Sequence, residues 1–181
     1  MGGIFAKRRS LRNREELGLS REPYVAVVGP SAGTPAELAI GEAVGRLVAE
    51  AGAVLVCGGM GGVMEAAAGG ATKAGGKTVG ILPTSSRLEG NPYLTVAVAT
   101  GMGEARNAIV VRTADVVIAV HGEFGTLSEI ALALKIGKPV VGLGTWEFRK
   151  AGEPVDAIER ATSAEDAVAR ALRLASELRE S

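Results

Sequence analysis

The stretch Tyr24-Val25-Ala26-Val27-Val28-Gly29-Pro30-Ser31, running on into Thr34-Pro35-Ala36-Glu37, decides the fold. An apolar run without alternation suits a strand buried on both faces of a sheet. The Gly-Pro-Ser turn stops it. Thr34 can then cap a helix, Pro35 suits the first helical position, and Glu37 completes a capping box. Ile40, Val44, Leu47 and Ala51 give that helix an apolar stripe, and Gly52 can end it.

The same unit recurs outward along the chain. Val54-Leu55-Val56-Cys57 reads as a second strand, followed by Gly58-Gly59-Met60-Gly61-Gly62 and an Ala-rich helix to about Ala74. Lys77 to Leu82 is a third strand, Thr84 to Pro92 a surface loop, and Leu94 to Ala99 a fourth strand. A helix from about Gly103 to Arg112 leads to a fifth strand over Asp115 to Val120. His121-Gly122-Glu123-Phe124-Gly125-Thr126 opens a helix with the stripe Leu127, Ile130, Ala131 and Leu134, ended by Gly137. Pro139 to Leu143 is a sixth strand, a polar loop carries Trp146, and a last helix capped by Thr162 or Ser163 runs to about Leu178. Strands alternating with helices imply parallel crossovers in one doubly wound sheet, an α/β fold.

Composition agrees with one packed unit over residues 23–181 of the 181. Apolar residues make up 47 %, but only six positions are aromatic, so Ala, Val, Leu and Ile must build the core. The 26 Gly residues cluster at the ends of apolar runs and read as special turns. Net charge is zero, which gives no global reason to expect a polyanion. Residues 1–22 differ, with six basic side chains against three acidic ones, and read as a basic, loosely attached or disordered arm. No signal peptide or membrane span is visible, and a cytoplasmic location is expected. Cys57 is the single cysteine and His121 the single histidine, so neither a disulfide nor a metal site is expected.

In a doubly wound sheet the ligand crevice lies at the carboxyl ends of the strands. Three turns there are rich in glycine: Gly29 to Gly33, Gly58 to Gly62, and Gly122 to Thr126. Lacking Cβ, glycine lets backbone approach a ligand, and the free N–H groups of the following helix favour an anion such as phosphate. Neither a Walker motif nor a G-x-G-x-x-G after the first strand is present. Arg106 and Asn107 in one helix and Glu129 in the next fall near the crevice mouth. Arg106 could grip a phosphate or carboxylate through two parallel hydrogen bonds. Glu129 could support an oxocarbenium-like transition state or position water, and a plain Arg–Glu ion pair is the alternative. Cys57 is expected to be buried and inert, His121 to pack or cap, and Asp115 to begin its strand.

These residues also carry a family resemblance. Gly58-Gly59-Met60-Gly61-Gly62-Val63-Met64 resembles the G-G-x-x-G-x-M element of the Lonely Guy-type phosphoribohydrolases. Gly122-x-x-Gly125-Thr126-x-x-Glu129 resembles their P-G-G-x-G-T-x-x-E signature. Ala105 to Asp115 and Gly125 to Ala131 look closer still to the bacterial molybdenum cofactor carrier-like branch. The resemblance covers about residue 23 to the end. It implies a Rossmann-like three-layer sandwich with a mostly parallel sheet, assembled as a homodimer or homotetramer.

Two activities follow from that resemblance. The carrier branch holds phosphate-bearing molybdopterin, while the hydrolases cleave nucleoside 5′-monophosphates at the N-glycosidic bond. Arg106 and Glu129 match the hydrolases' catalytic pair. Ligand contacts would come from Gly29, Ser31, Gly58, Gly59, Gly61, Gly62, Met64, Asn107, Gly122, Glu123, Phe124, Gly125 and Thr126. The expected ligand is molybdopterin or a nucleotide monophosphate, with no cofactor needed for catalysis and no membrane partner. Single-stranded DNA binding, a third class, fits poorly with an acidic domain short of stacking aromatics.

One departure matters. Where the signature has Pro-Gly-Gly, this chain has His121-Gly122-Glu123. Glu123 places a carboxylate in the phosphate cradle, either pointing away or occupying the anion site as a built-in mimic. At about 4 Å and an effective dielectric near 20, two like charges cost about 4 kcal/mol.

Overall fold

The structure is a computed structural model and describes residues 22–180. All but Glu22 of the basic arm over 1–22 lies outside the described residues. Nine strands and five α-helices follow in chain order. They are β1 (Tyr24–Val28), α1 (Pro35–Glu50), β2 (Val54–Cys57), α2 (Val63–Lys73), β3 (Lys77–Leu82), β4 (Val96–Ala99), α3 (Asn107–Thr113), β5 (Val116–Val120), α4 (Phe124–Lys135), β6 (Val140–Leu143), β7 (Phe148–Lys150), β8 (Glu153–Val155), β9 (Glu159–Ala161) and α5 (Ala164–Glu180).

Seven strands form one parallel sheet in the order β4-β3-β2-β1-β5-β6-β9. The chain winds from β1 outward to β4, returns to set β5 against β1, and winds outward the other way. The order therefore reverses between β1 and β5, the point where such sheets open a ligand crevice. β2, β5 and β6 are buried throughout, as is β1 beyond Tyr24, which is why they carry no apolar–polar alternation. This is the Rossmann-like three-layer α/β architecture, with a core on each face of the sheet. One core joins α1, α2 and α5 through Val44, Val48, Val63, Ala67, Ala167 and Val168. The other joins α3 and α4 through Val110, Val111, Ile130 and Ala133.

The capping box at α1 is present, with the Thr34 hydroxyl accepting from Glu37 N–H and the Glu37 carboxylate accepting from Thr34 N–H at 2.7 Å. Ser163 caps α5, accepting from Asp166 N–H at 3.2 Å. The Asp115 carboxylate accepts from Tyr24 N–H at 3.0 Å and ties β5 to β1.

Four expectations need correction. The helix anticipated from Gly103 begins as a 3-10 turn over Gly103–Arg106 and becomes α-helical at Asn107. The polar stretch after Leu143 contains the antiparallel hairpin β7–β8 and then β9, strands of three residues each, too short to show a periodicity. α4 buries Thr126, Glu129, Ile130 and Ala133; of the expected stripe Ile130 is buried, Leu127 and Leu134 are half-buried, and Ala131 is exposed. Its inner face is chosen by a polar pair at the site, which a hydrophobic template cannot register. Of the stripe expected on α1, Val44 is buried, Ile40 and Leu47 pack half-buried against the core, and Ala51 is exposed, while Gly41, Gly45 and Val48 are buried as well. Glycines lie inward there because α2 approaches backbone to backbone. A Cβ on Gly45 would stand 1.9 Å from the Ala67 carbonyl oxygen.

Candidate functional site

A cleft of about 410 Å³ opens over the β1–β5 reversal. Successive strand ends supply its walls. Pro83 follows β3, Met60 and Met64 follow β2, Gly29, Pro30 and Ser31 follow β1, and Glu123, Gly125 and Thr126 follow β5. Glu104, Arg106 and Asn107, from the 3-10 turn and the start of α3, join them with Glu129 of α4.

Nine of the residues singled out from sequence line this cleft: Gly29, Ser31, Met64, Arg106, Asn107, Glu123, Gly125, Thr126 and Glu129. Gly58, Gly59, Gly61, Gly62, Gly122 and Phe124 are not among its lining residues, and their places in the fold explain this. Gly58 lies beneath Arg106, where a Cβ would stand 2.7 Å from both terminal guanidinium nitrogens. Gly59 packs under Leu82, and Gly61 lies beside the Ser31 carbonyl. Gly62 turns the chain into α2 at φ +66°, where a Cβ would meet the Pro30 carbonyl oxygen at 2.3 Å. Gly122 lies tight against the Thr126 side chain. Phe124 is 79 % exposed and leans on Trp146, with ring centroids 5.9 Å apart. Sequence reasoning did not single out Pro30, Met60, Pro83 and Glu104; Pro30 and Met60 lie within glycine turns it had marked, whereas Pro83 and Glu104 lie in no such motif.

Arg106 and Glu129 form a buried pair rather than groups at the mouth. They are 6 % and 5 % exposed, and Arg106 Nη1 donates to Glu129 Oε1 at 3.2 Å and to Asn107 Oδ1 at 2.6 Å. The buried Nε of Arg106 has no acceptor among the described residues. Burial pushes the Glu129 carboxyl up to about 7, Glu104 adds to that rise, and the Arg106 guanidinium opposes it.

The folded chain therefore holds the Glu129 proton more tightly than the unfolded chain does, whose carboxyl titrates near 4.5. Stability that this group allows in acid is lost as pH rises through that window, by on the order of 3 kcal/mol. Between pH 5 and pH 8 the wild type should lose about that much more unfolding free energy in urea than Glu129→Gln loses. Parallel slopes in the two proteins would contradict the raised carboxyl.

The electrostatic layout favours an anion at one end only. The N–H groups of Phe124, Gly125 and Thr126 open α4 with no side-chain cap and no backbone acceptor among the described residues. They stand at the positive end of the helix, where Gly125 and Thr126 line the cleft. Glu123, the residue before them, is exposed and makes no hydrogen bond to those amides. Its carboxylate does not occupy the cradle as a built-in mimic. His121, at φ +49°, lies 3.7 Å from the Glu37 carboxylate, and Cys57 is fully buried with its thiol pushed up to about 11 by burial. Among the described residues no three His, Cys, Asp or Glu side chains gather as metal ligands would, and no helix is long and apolar enough to cross a membrane.

These features define a Rossmann-like α/β protein with a cleft at the reversal point of its parallel sheet. More particularly, residues 22–172 match the family model of the SLOG cluster4 family, and the chain belongs to that family. Solved structures similar to it include the molybdenum cofactor binding protein of the phototrophic bacterium Rippkaea orientalis. That protein is 37 % identical with a TM-score of 0.76, over 85 % of this chain and 98 % of its own. The Moco carrier protein of Chlamydomonas reinhardtii is 32 % identical with a TM-score of 0.76, over 87 % of this chain and 99 % of its own. An uncharacterised protein of Archaeoglobus fulgidus is 53 % identical over 100 residues, which span 55 % of this chain and 66 % of that one.

Proposed function

We propose that the protein binds a phosphate-bearing ligand of the molybdopterin or nucleotide type in the cleft and carries it without cleaving it. The free amides that open α4 carry this reading, because Gly125 and Thr126 line the cleft and their N–H groups suit an anion. The likeness to molybdenum cofactor binding and carrier proteins supports a pterin-type cargo. A carrier role is favoured over hydrolysis because Glu129, although it lines the cleft, is buried and engaged by Arg106. On this reading Arg106 and Glu129 shape the floor of the cleft, and the protein works in the cytoplasm as a homo-oligomer.

The reading is tested by melting temperature, because a ligand of the native state must raise it. Metal-free molybdopterin should do so, and incubation with AMP should release no adenine. Adenine release that disappears in Glu129→Gln would replace carriage by hydrolysis. Glu123 should weaken the grip on phosphate. In a water-like dielectric at about 4 Å each like-charge pair costs about 1 kcal/mol. Glu123→Gly should then tighten binding of a phosphate dianion by about tenfold or more, measured by calorimetry, and unchanged affinity would show that the carboxylate points clear of the cradle.

A further inference from the structure

The cleft holds three carboxylates, Glu104, Glu123 and Glu129, against the single guanidinium of Arg106. Arg106 is engaged by Glu129 and Asn107. Glu104 and Glu123 are exposed, and among the described residues no hydrogen bond or ion pair engages their carboxylates. A ligand that was an anion throughout would be repelled by this lining. One with a phosphate at one end and paired N–H donors at the other would satisfy it.

The sheet order sets where each end lies. Along the mouth the strand ends run β3, β2, β1, β5, three strand spacings or about 14 Å. The free α4 amides stand at the β5 end. Glu104 stands at the β3 end, because the neighbouring Gly103 N–H donates to the Pro83 carbonyl at 2.9 Å. Pro83 and Met60 line the cleft there and offer apolar surface to a flat ring. Arg106 lies between the two ends, more than nine-tenths buried, with its Nε unpartnered.

We infer that Glu104 is the specificity-determining residue of the cleft, accepting two adjacent N–H donors from a 2-amino-4-oxopyrimidine edge, the edge that guanine and pterins share. This rests on the proposed phosphate-binding role of the same cleft. A carboxylate offers two parallel acceptors, as it does to arginine. The guanine or pterin edge presents a ring N–H beside an amino group and matches both. Hypoxanthine keeps the ring N–H and loses the amino group. Adenine sets a lone pair beside its amino group and meets the carboxylate with repulsion.

The test is calorimetric titration of the full chain with GMP, IMP, AMP, ribose 5-phosphate and metal-free molybdopterin. GMP should bind at least about tenfold more tightly than IMP or AMP, in line with the discrimination of one bidentate pair. Molybdopterin should likewise exceed AMP, and its rank against GMP separates a pterin from a guanine nucleotide as the source of the edge. Glu104→Gln should bring GMP down to the level of IMP and leave ribose 5-phosphate unchanged. Equal binding of GMP and AMP, or a GMP preference that survives Glu104→Gln, overturns the inference while ribose 5-phosphate still reports an intact phosphate site. Failure of all five probes overturns both.

Discussion

Gly70→Ala should lower the melting temperature by about 10 °C, while Gly69→Ala, one residue earlier in the same helix, should leave it unchanged or raise it. Both glycines sit inside α2, where alanine is intrinsically the better helix former by about 1 kcal/mol. Their surroundings differ. A Cβ on Gly70 would meet the Glu42 carbonyl oxygen at 2.1 Å and its carbon at 2.9 Å, both backbone atoms of α1. A Cβ on Gly69 would rest against the Tyr93 ring at 3.4 Å, an ordinary contact. Overpacking costs about 1–3 kcal/mol even where side chains can shift, and here two helix backbones must separate. A chain of this size loses about 2–4 °C per kcal/mol. The Gly29–Ser31 and Met60–Gly62 turns lead into these helices, so the same substitution should weaken ligand binding. Equal melting of the two variants would mean that α1 and α2 are not held backbone to backbone.

Arg106→Leu should have the second large effect, and its size should depend on pH. Removing one partner of a buried pair costs about 3–5 kcal/mol, because the remaining charge has no counterpart. At pH 8 Glu129 is ionised and the full cost applies. At pH 5, below the raised carboxyl near 7, Glu129 holds its proton and the cost shrinks. The double variant Arg106→Leu, Glu129→Leu should recover most of the loss at pH 8, since no charge is then left buried. Urea unfolding at the two pH values measures this directly. A single variant equally destabilised at both would contradict the account of the pair.

How far the sequence carries can be judged from particular residues. The Tyr24–Val28 run, the Thr34–Glu37 capping box and the recurring glycine turns made the parallel sheet legible, because burial on both faces and helix starts leave local marks. β9 left none. It is three residues with polar members at Glu159 and Arg160, held in the sheet by pairing with β6 rather than by its own pattern. In the cleft, nine of the residues marked in the motifs were found, while Pro30 and Met60, passed over inside the glycine turns, and Pro83 and Glu104, outside them, were not. Their role comes from where the strand ends fall side by side. Spacing brought Arg106 and Glu129 together, but their depth became visible only when α4 was seen to turn Thr126 and Glu129 inward.

Glu123 shows the same limit in another form. From sequence its carboxylate belongs to the phosphate cradle or replaces the phosphate. In the fold it is exposed, takes no hydrogen bond from the α4 amides, and leaves them free. The helix start is therefore left uncapped, with an acidic neighbour.

The central claim, that the α4 amides hold a ligand phosphate, is tested most directly by Gly125→Asp. A Cβ at Gly125 meets nothing within 4 Å, so the variant should fold. An aspartate in a helix first turn is welcome to the dipole, so melting should not fall. Its carboxylate would sit where the phosphate is placed. Calorimetric titration of both proteins with metal-free molybdopterin and GMP should show saturable binding of one ligand per wild-type chain and none to Gly125→Asp. Equal binding by the two proteins, or none by the wild type, would contradict the account.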